Sequence, residues 1–178
     1  VASTGANEKT LGREGKEYKK DYRITIVHPN SHAGYYPDAA TMSIKLIFDL
    51  KGKVLGAQIV GYDGVDKRID VLAAAIRFGA TVYDLTEIEL AYAPPYSSAK
   101  DPVNMAGYTA TNQLDGLVEV ARIEEIKDFD NNTVIVDVRE DIERKMGYIP
   151  NSIHIPLGNL RSRLNELDRN KEYITSCA

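Results

Sequence analysis

The sequence holds one cysteine, Cys177, and no tryptophan. A single cysteine excludes an internal disulfide and fits a reducing, cytoplasmic compartment. No apolar run reaches the roughly 18 residues that a membrane-spanning helix needs. No leader pattern is visible, and the first residue is Val1 rather than methionine, so a processed or excised piece is expected. Basic residues are outnumbered, 22 against 26 acidic ones, for a net charge of −4. No basic cluster offsets that balance, which argues against a nucleic-acid surface. The sequence has neither a Gly-x-Gly-x-x-Gly run nor a P-loop, so it carries no fingerprint for a bound dinucleotide or nucleotide. His28, His32, His154 and Cys177 do not fall at metal-ligand spacing, and no metal site is expected.

What is present is ordinary for a globular protein. The chain has 178 residues, 43% hydrophobic and 27% charged, enough for one large domain or two small ones. Residues 1 to 20 are polar, with a short turn of helix expected over Asn7–Leu11. Three strands follow over Arg23–His28, Ser43–Asp49 and Val54–Gly61, the last read as central. A tight hairpin over Leu50–Lys53 joins the second and third. Asp63 is expected to cap a helix with a stripe of Val65, Ile69, Leu72, Ala73 and Ile76, ended by Gly79 in a left-handed conformation. Asp66, Lys67, Arg68 and Asp70 read as a solvated, mutually paired face of that helix. Thr81 opens a short helix with Leu85 and Ile88 inward.

The segment Leu90–Tyr108 stands apart. Pro94, Pro95 and Pro102 remove backbone donors and extend the residues before them, and Asp101-Pro102 reads as the start of a helix running to about Gln113. Tyr92 and Tyr96 flank the prolines. Residue chemistry alone leaves two readings open: packing, or phenols presented to a ligand by a stiff loop.

Asp115-Gly116 marks a seam, placing one domain over residues 1–116 and a second over 117–178. The second reads as strand (Thr133–Val138), helix (Glu140–Met146), strand (Ser152–Pro156), helix (Leu157–Leu167, with all four leucines inward) and strand (Tyr173–Ser176), an α/β order. His154 reads as structural. Cys177 follows the last strand, where such folds place their sites. A thiol there can be a nucleophile when the following loop stabilises its thiolate. The sequence stops before such a loop, so a truncated second domain is expected.

Residues 1 to about 112 resemble the C-terminal dimerisation domain of the pyridine nucleotide-disulfide oxidoreductases, in the subgroup of coenzyme A-disulfide reductases, NADH oxidases and persulfide reductases. The resemblance rests on His28 through Tyr35-Tyr36-Pro37, on Gly64-Val65-Asp66-Lys67-Arg68-Ile69-Asp70, and on Ala91-Tyr92-Ala93-Pro94-Pro95-Tyr96-Ser97-Ser98 followed by Lys100-Asp101-Pro102-Val103-Asn104. Residues from about 119 resemble the front half of a rhodanese domain, through Val136-Asp137-Val138-Arg139-Glu140, Gly147 to Pro156, and the strand ending at Cys177.

The resemblance implies an α+β dimerisation domain, an antiparallel sheet with helices, followed by a partial α/β rhodanese-like domain. It implies a parent enzyme that uses FAD and NAD(P)H, held in N-terminal domains absent from this chain, to reduce a coenzyme A disulfide or persulfide. The parent would be a homodimer in which Tyr35 and Tyr92 reach the partner's site, with Tyr36 and Tyr96 as second candidates and Lys67 and Arg68 toward substrate. Cys177 matches the rhodanese sulfur-carrying cysteine, while Asp137 and Arg139 match structural positions. The fragment alone is expected to bind no cofactor and to be inactive. Apolar residues Ile88, Leu90, Val103 and Met105 are expected to exceed what the small core needs and to face the dimer interface. An NADH oxidase-like fragment, a stand-alone coenzyme A-binding module and a small sulfurtransferase are the alternatives.

Overall fold

A computed structural model describes residues 1–130 and 132–177. The chain divides into two compact units, Val1–Glu119 and Val120–Ala178.

The first unit is built on a four-stranded antiparallel sheet of β1 (Ala2–Gly5), β2 (Tyr22–Val27), β3 (Ser43–Asp49) and β4 (Val54–Val60), in the order β1-β4-β3-β2. β4 is interior, as its small and apolar sequence implies. β1 is a strand that the sequence does not announce. Ala2-Ser3-Thr4-Gly5 carries no large apolar side chain, and its extended form comes from pairing with β4. That pairing needs glycine: a Cβ on Gly56 would overlap the backbone of Ala6. Asn7 then caps α1 (Glu8–Arg13), its side chain accepting from Thr10 N at 2.9 Å.

Alternation along β3 sorts its side chains between two faces. Ile44, Leu46 and Phe48 join the main core with Ile59, Leu72, Leu85 and Val103. Ile47 points the other way, against Leu11, Tyr22 and Ile24. The main core is closed by α2 (Val65–Arg77), α3 (Val82–Glu87) and α4 (Pro102–Leu114). α2 lies on β4 and β1, and α3 on α4. Gly107 permits that last approach, because a Cβ there would meet Leu85 Cβ at 3.0 Å. The Thr81 start of α3 is a capping box with Asp84, and Asp101 and Asn104 form a second one at α4. Gly79 ends α2 at φ 74°.

Two expectations are corrected here. The residue before α2 is Gly64 at φ 65°, not Asp63, and no side chain caps that end. Val103 is fully buried in its own core, and Ile88 and Leu90 pack against it. Met105 is exposed and Ile88 and Leu90 are half-buried, so Val103 is the member of that set that belongs wholly to the unit's own core.

In the second unit a three-stranded parallel sheet has the order β6 (Ile153–His154), β5 (Thr133–Asp137), β7 (Glu172–Ser176). α5 (Asp141–Lys145) follows β5. The long helix expected over Leu157–Leu167 is instead α6 (Leu157–Leu160) running into a 3-10 stretch, Arg161–Glu166. Near three residues per turn, the leucines cannot stay on one face at a spacing meant for 3.6. Leu160 and Leu167 reach the small core of Val136, Val138 and Ile155, while Leu157 and Leu164 face outward.

Candidate functional site

Two segments carry the tyrosines, residues 28–42 between β2 and β3 and residues 88–101 between α3 and α4. They are 57 positions apart in sequence, and the fold brings the hydroxyls of Tyr35 and Tyr92 to 3.4 Å. Both rings are open, Tyr35 78% exposed and Tyr92 54%. Backbone joins the segments too, Ala33 N–H donating to Pro94 O at 3.3 Å. The hydrogen bond with Tyr92, aided by burial and then by charge repulsion from Tyr92, raises the Tyr35 pKa above its ordinary value. Tyr35 therefore carries its proton at neutral pH and can donate it.

Tyr36 and Tyr96 take other places. The Tyr36 ring meets His32 edge-on at 5.7 Å, and Tyr36 N–H closes a turn on Ala33 O. Tyr96 is exposed at its ring, and its carbonyl accepts from Arg68 at 3.2 Å.

Arg68 overturns the expected solvated face. Its residue is 2% exposed, and its guanidinium is enclosed by protein acceptors. Nη2 lies 3.0 Å from Asp101 Oδ2, 2.8 Å from Ser31 O and 3.4 Å from Ser97 Oγ. Nε faces Asp101 Oδ1 at 3.4 Å and Nη1 faces Gly64 O at 3.3 Å. With these donors engaged, Arg68 is not placed to bind substrate directly, and that expectation is corrected as well. Lys67 is half-buried, with its ammonium 3.8 Å from Asp101 Oδ2. The cluster of Ser31, Ser97 and Asp101 around Arg68 escaped the sequence reading. Its signal was the spacing: Arg68 falls three after Val65 and four before Leu72, on the buried stripe of α2.

In the second unit Asp137 is buried at the end of β5, and Arg139 folds back on it through Nε at 2.9 Å and Nη2 at 2.8 Å. Arg144 adds Nη1 at 3.1 Å. These partners, Arg139 first, hold the Asp137 carboxyl well below the usual carboxylate range against the opposing effect of burial. Arg139 Nη2 also donates to Gly147 O and Arg144 to Ser152, so the network fixes the connection from β5 to β6. His154 Nε2 lies 2.9 Å from Arg139 O, a bracing contact. Cys177 is exposed just past β7.

No cluster of three or more His, Cys, Asp or Glu that could hold a metal occurs among the described residues. No helix among them is long and apolar enough to cross a membrane. Two turns that lead from a strand into a helix, ahead of α5 and of α2, lack the open glycine cradle that a dinucleotide phosphate needs. Val138-Arg139-Glu140 links β5 to α5 with side chains, and the glycines ahead of α2 face Met42 and Arg68 rather than an open cradle.

Residues 1–102, more than half of the chain, match the pyridine nucleotide-disulphide oxidoreductase dimerisation domain. The chain belongs to that family. Residues 121–178 match the rhodanese-like domain, so an oxidoreductase dimerisation domain is followed here by a rhodanese-like one. The coenzyme A disulfide reductase of Staphylococcus aureus (strain bovine RF122 / ET3-1) is 45% identical over 103 residues, 57% of this chain and 24% of that protein. The reduced CoADR-RHD of Bacillus anthracis is 51% identical, with a TM-score of 0.93 over 98% of this chain and 31% of that one. A NAD-dependent persulfide reductase from A. fulgidus is 43% identical, with a TM-score of 0.85 over 99% of this chain and 31% of that one. The chain thus spans about a quarter of the curated relative and under a third of the two solved ones.

Proposed function

We propose that this chain is the C-terminal part of a cytoplasmic, flavin-dependent reductase that uses NAD(P)H to cleave a coenzyme A disulfide or persulfide. The reductase acts as a homodimer, and the Tyr35–Tyr92 pair of one subunit serves the other subunit's disulfide. The observation that carries this reading is the 3.4 Å pair of exposed phenols on a dimerisation domain. Two hydroxyls that share one hydrogen bond leave one O–H free to donate outward. A departing coenzyme A thiolate takes that proton, and the resulting phenolate keeps its neighbour's O–H as a donor until solvent reprotonates it. FAD and NAD(P)H supply the electrons from the N-terminal domains of the parent polypeptide. Lys67, whose ammonium lies 3.8 Å from Asp101 Oδ2, offers a cation toward coenzyme A phosphates. Cys177 carries sulfane sulfur as a persulfide in the rhodanese-like part, whose boundary with the first domain lies near residue 116.

The test uses the full-length polypeptide encoded by the gene that carries this sequence. NAD(P)H oxidation and thiol release are followed with coenzyme A disulfide and with coenzyme A persulfide. The double variant Tyr35→Phe with Tyr92→Phe is expected to lower kcat by about 100-fold or more, the lower end of what a positioned proton donor contributes. An unchanged kcat, or a wild-type protein that reduces neither substrate, overturns the reading.

A further inference from the structure

We propose that Arg68 is a positioning residue that sets the spacing of the two phenols; this rests on the reading of Tyr35 and Tyr92 above. One guanidinium reaches both tyrosine-bearing segments. Its Nη2 donates toward Ser31 O in the first and Tyr96 O in the second, at 2.8 and 3.2 Å. Each contact leads to its phenol through a short turn. On the first segment, Ser31 N–H bonds Ala40 O and Ala40 N–H bonds Ser31 Oγ, closing the base of the loop, while Tyr36 N–H bonds Ala33 O around Tyr35. On the second, Tyr96 and Ser97 N–H both donate to Ala93 O, the residue after Tyr92.

The guanidinium is itself fixed. Asp101 meets it with both carboxylate oxygens, and Ser97 Oγ–H donates to Asp101 Oδ2 at 2.8 Å. Asp101 is held in turn as the cap of α4, accepting from Val103 N while its own N–H donates to Asn104 Oδ1. Asn104 Nδ2 donates to Leu85 O and Ile88 O, tying the cap to α3. The planar fork of arginine donors suits such a junction. A lysine would keep the charge opposite Asp101, yet a compact ammonium cannot span the same acceptors. Phenols held by two separate loops would drift without a shared anchor, and an error near 1 Å in a reacting group costs on the order of 100-fold in rate.

The experiment has two arms. In this chain, labelled with ¹³Cζ-tyrosine, the Tyr35 resonance is assigned by its loss in Tyr35→Phe. Its displacement on Tyr92→Phe then reports coupling between the phenols. Arg68→Lys is expected to abolish that displacement. Leu72→Ala, which opens a cavity on the same helix, is expected to lower stability and leave the displacement intact. Should Arg68→Lys fail to fold, Ser97→Ala decides, with a partial loss of coupling expected. In the full-length reductase, Arg68→Lys is expected to lower kcat by about 10- to 100-fold with little change in KM. Tyr35→Phe is expected to cost less in the Arg68→Lys background than alone. Coupling retained in both Arg68→Lys and Ser97→Ala, while Tyr35→Phe still slows the reductase, overturns the positioning role alone. Coupling lost in Arg68→Lys, with a full rate in Tyr35→Phe, supports the spacing role and overturns the catalytic reading of the phenols.

Discussion

Both units place an aspartate–arginine pair beside their loops, and they place it differently. In the first, both side chains are buried, and the partners stand 33 positions apart. In the second, the carboxylate is buried while Arg139 and Arg144 keep part of their surface in water, and the separations are 2 and 7. The local network shapes one connection, from β5 to β6. The distant pair joins segments that nothing in the local sequence brings together. A buried charge left without its partner is far more costly than the same charge at a surface. The first arrangement therefore commits the protein to one relation between loops, and the second only to one loop.

The largest effect should come from breaking the buried pair. Arg68→Met is expected to remove about 3–5 kcal/mol from the stability of the first unit, because Asp101 stays buried with the more distant Lys67 ammonium, 3.8 Å away, left as its ion partner. Urea unfolding followed by amide resonances of β3 and β4 measures it. A loss under about 1 kcal/mol would erase the contrast between the units.

Asp137→Asn comes next, at roughly 2–3 kcal/mol in the second unit, since the two arginines it abandons retain some water. Acid tests the same pair. The Asp137 carboxyl titrates lower in the folded protein than the roughly 3.9 of an unfolded aspartate, so its contribution is complete above that value. It is lost as pH falls further, through the depressed native value. The gap between wild type and Asp137→Asn should therefore stay constant from about pH 7 to 5 and narrow below about pH 4. A gap that widens in acid would contradict the assignment.

How far these features could be read from sequence follows the same division. The order of elements was legible wherever local chemistry decides it: the alternation of β3, the Gly52 hairpin, the Thr81 and Asp101 caps, and Gly79. β1 was not, because its extended form is imposed by β4 and by the room that Gly56 leaves. The single helix over Leu157–Leu167 was misread because leucines spaced by three and four suit a regular helix, and no residue there marks the change to 3-10 winding. Arg68 was assigned to the solvated face of α2 and left off its apolar stripe, because its charge suggested solvent and its partner lay 33 residues on. The approach of Tyr35 to Tyr92 rests on no spacing rule at all. Only the resemblance of two motifs to a known family singled the pair out.

Sharing of load gives a smaller effect. Arg144→Met leaves Asp137 with both contacts from Arg139 and removes the guanidinium that lies over the Tyr148 ring at 4.3 Å. The expected loss is about 1–2 kcal/mol, well under that of Arg68→Met, and thermal unfolding of the second unit measures it. If Arg144→Met matched Arg68→Met, redundancy would not distinguish the two networks.

The smallest effect on stability is expected at the phenols themselves. Tyr35→Phe removes one hydroxyl from an exposed ring, and the change should stay within about 0.5 kcal/mol. The hydroxyl's acidity should nonetheless respond to its neighbour. The hydrogen bond with Tyr92 is the first cause of the raised Tyr35 value. Tyr92→Phe should therefore let Tyr35 ionise at lower pH, closer to the ordinary value near 10. Ultraviolet difference titration of Tyr92→Phe against the double Phe variant reads that shift. A surface pair that matters little to folding and changes its proton affinity on losing one member has the character of a site. A pair whose removal costs as much stability as a core residue, with no change in titration, belongs to the architecture. Arg68 is buried and the phenols are exposed, so the two kinds of evidence should separate: stability lost at the guanidinium, proton affinity altered at the hydroxyls.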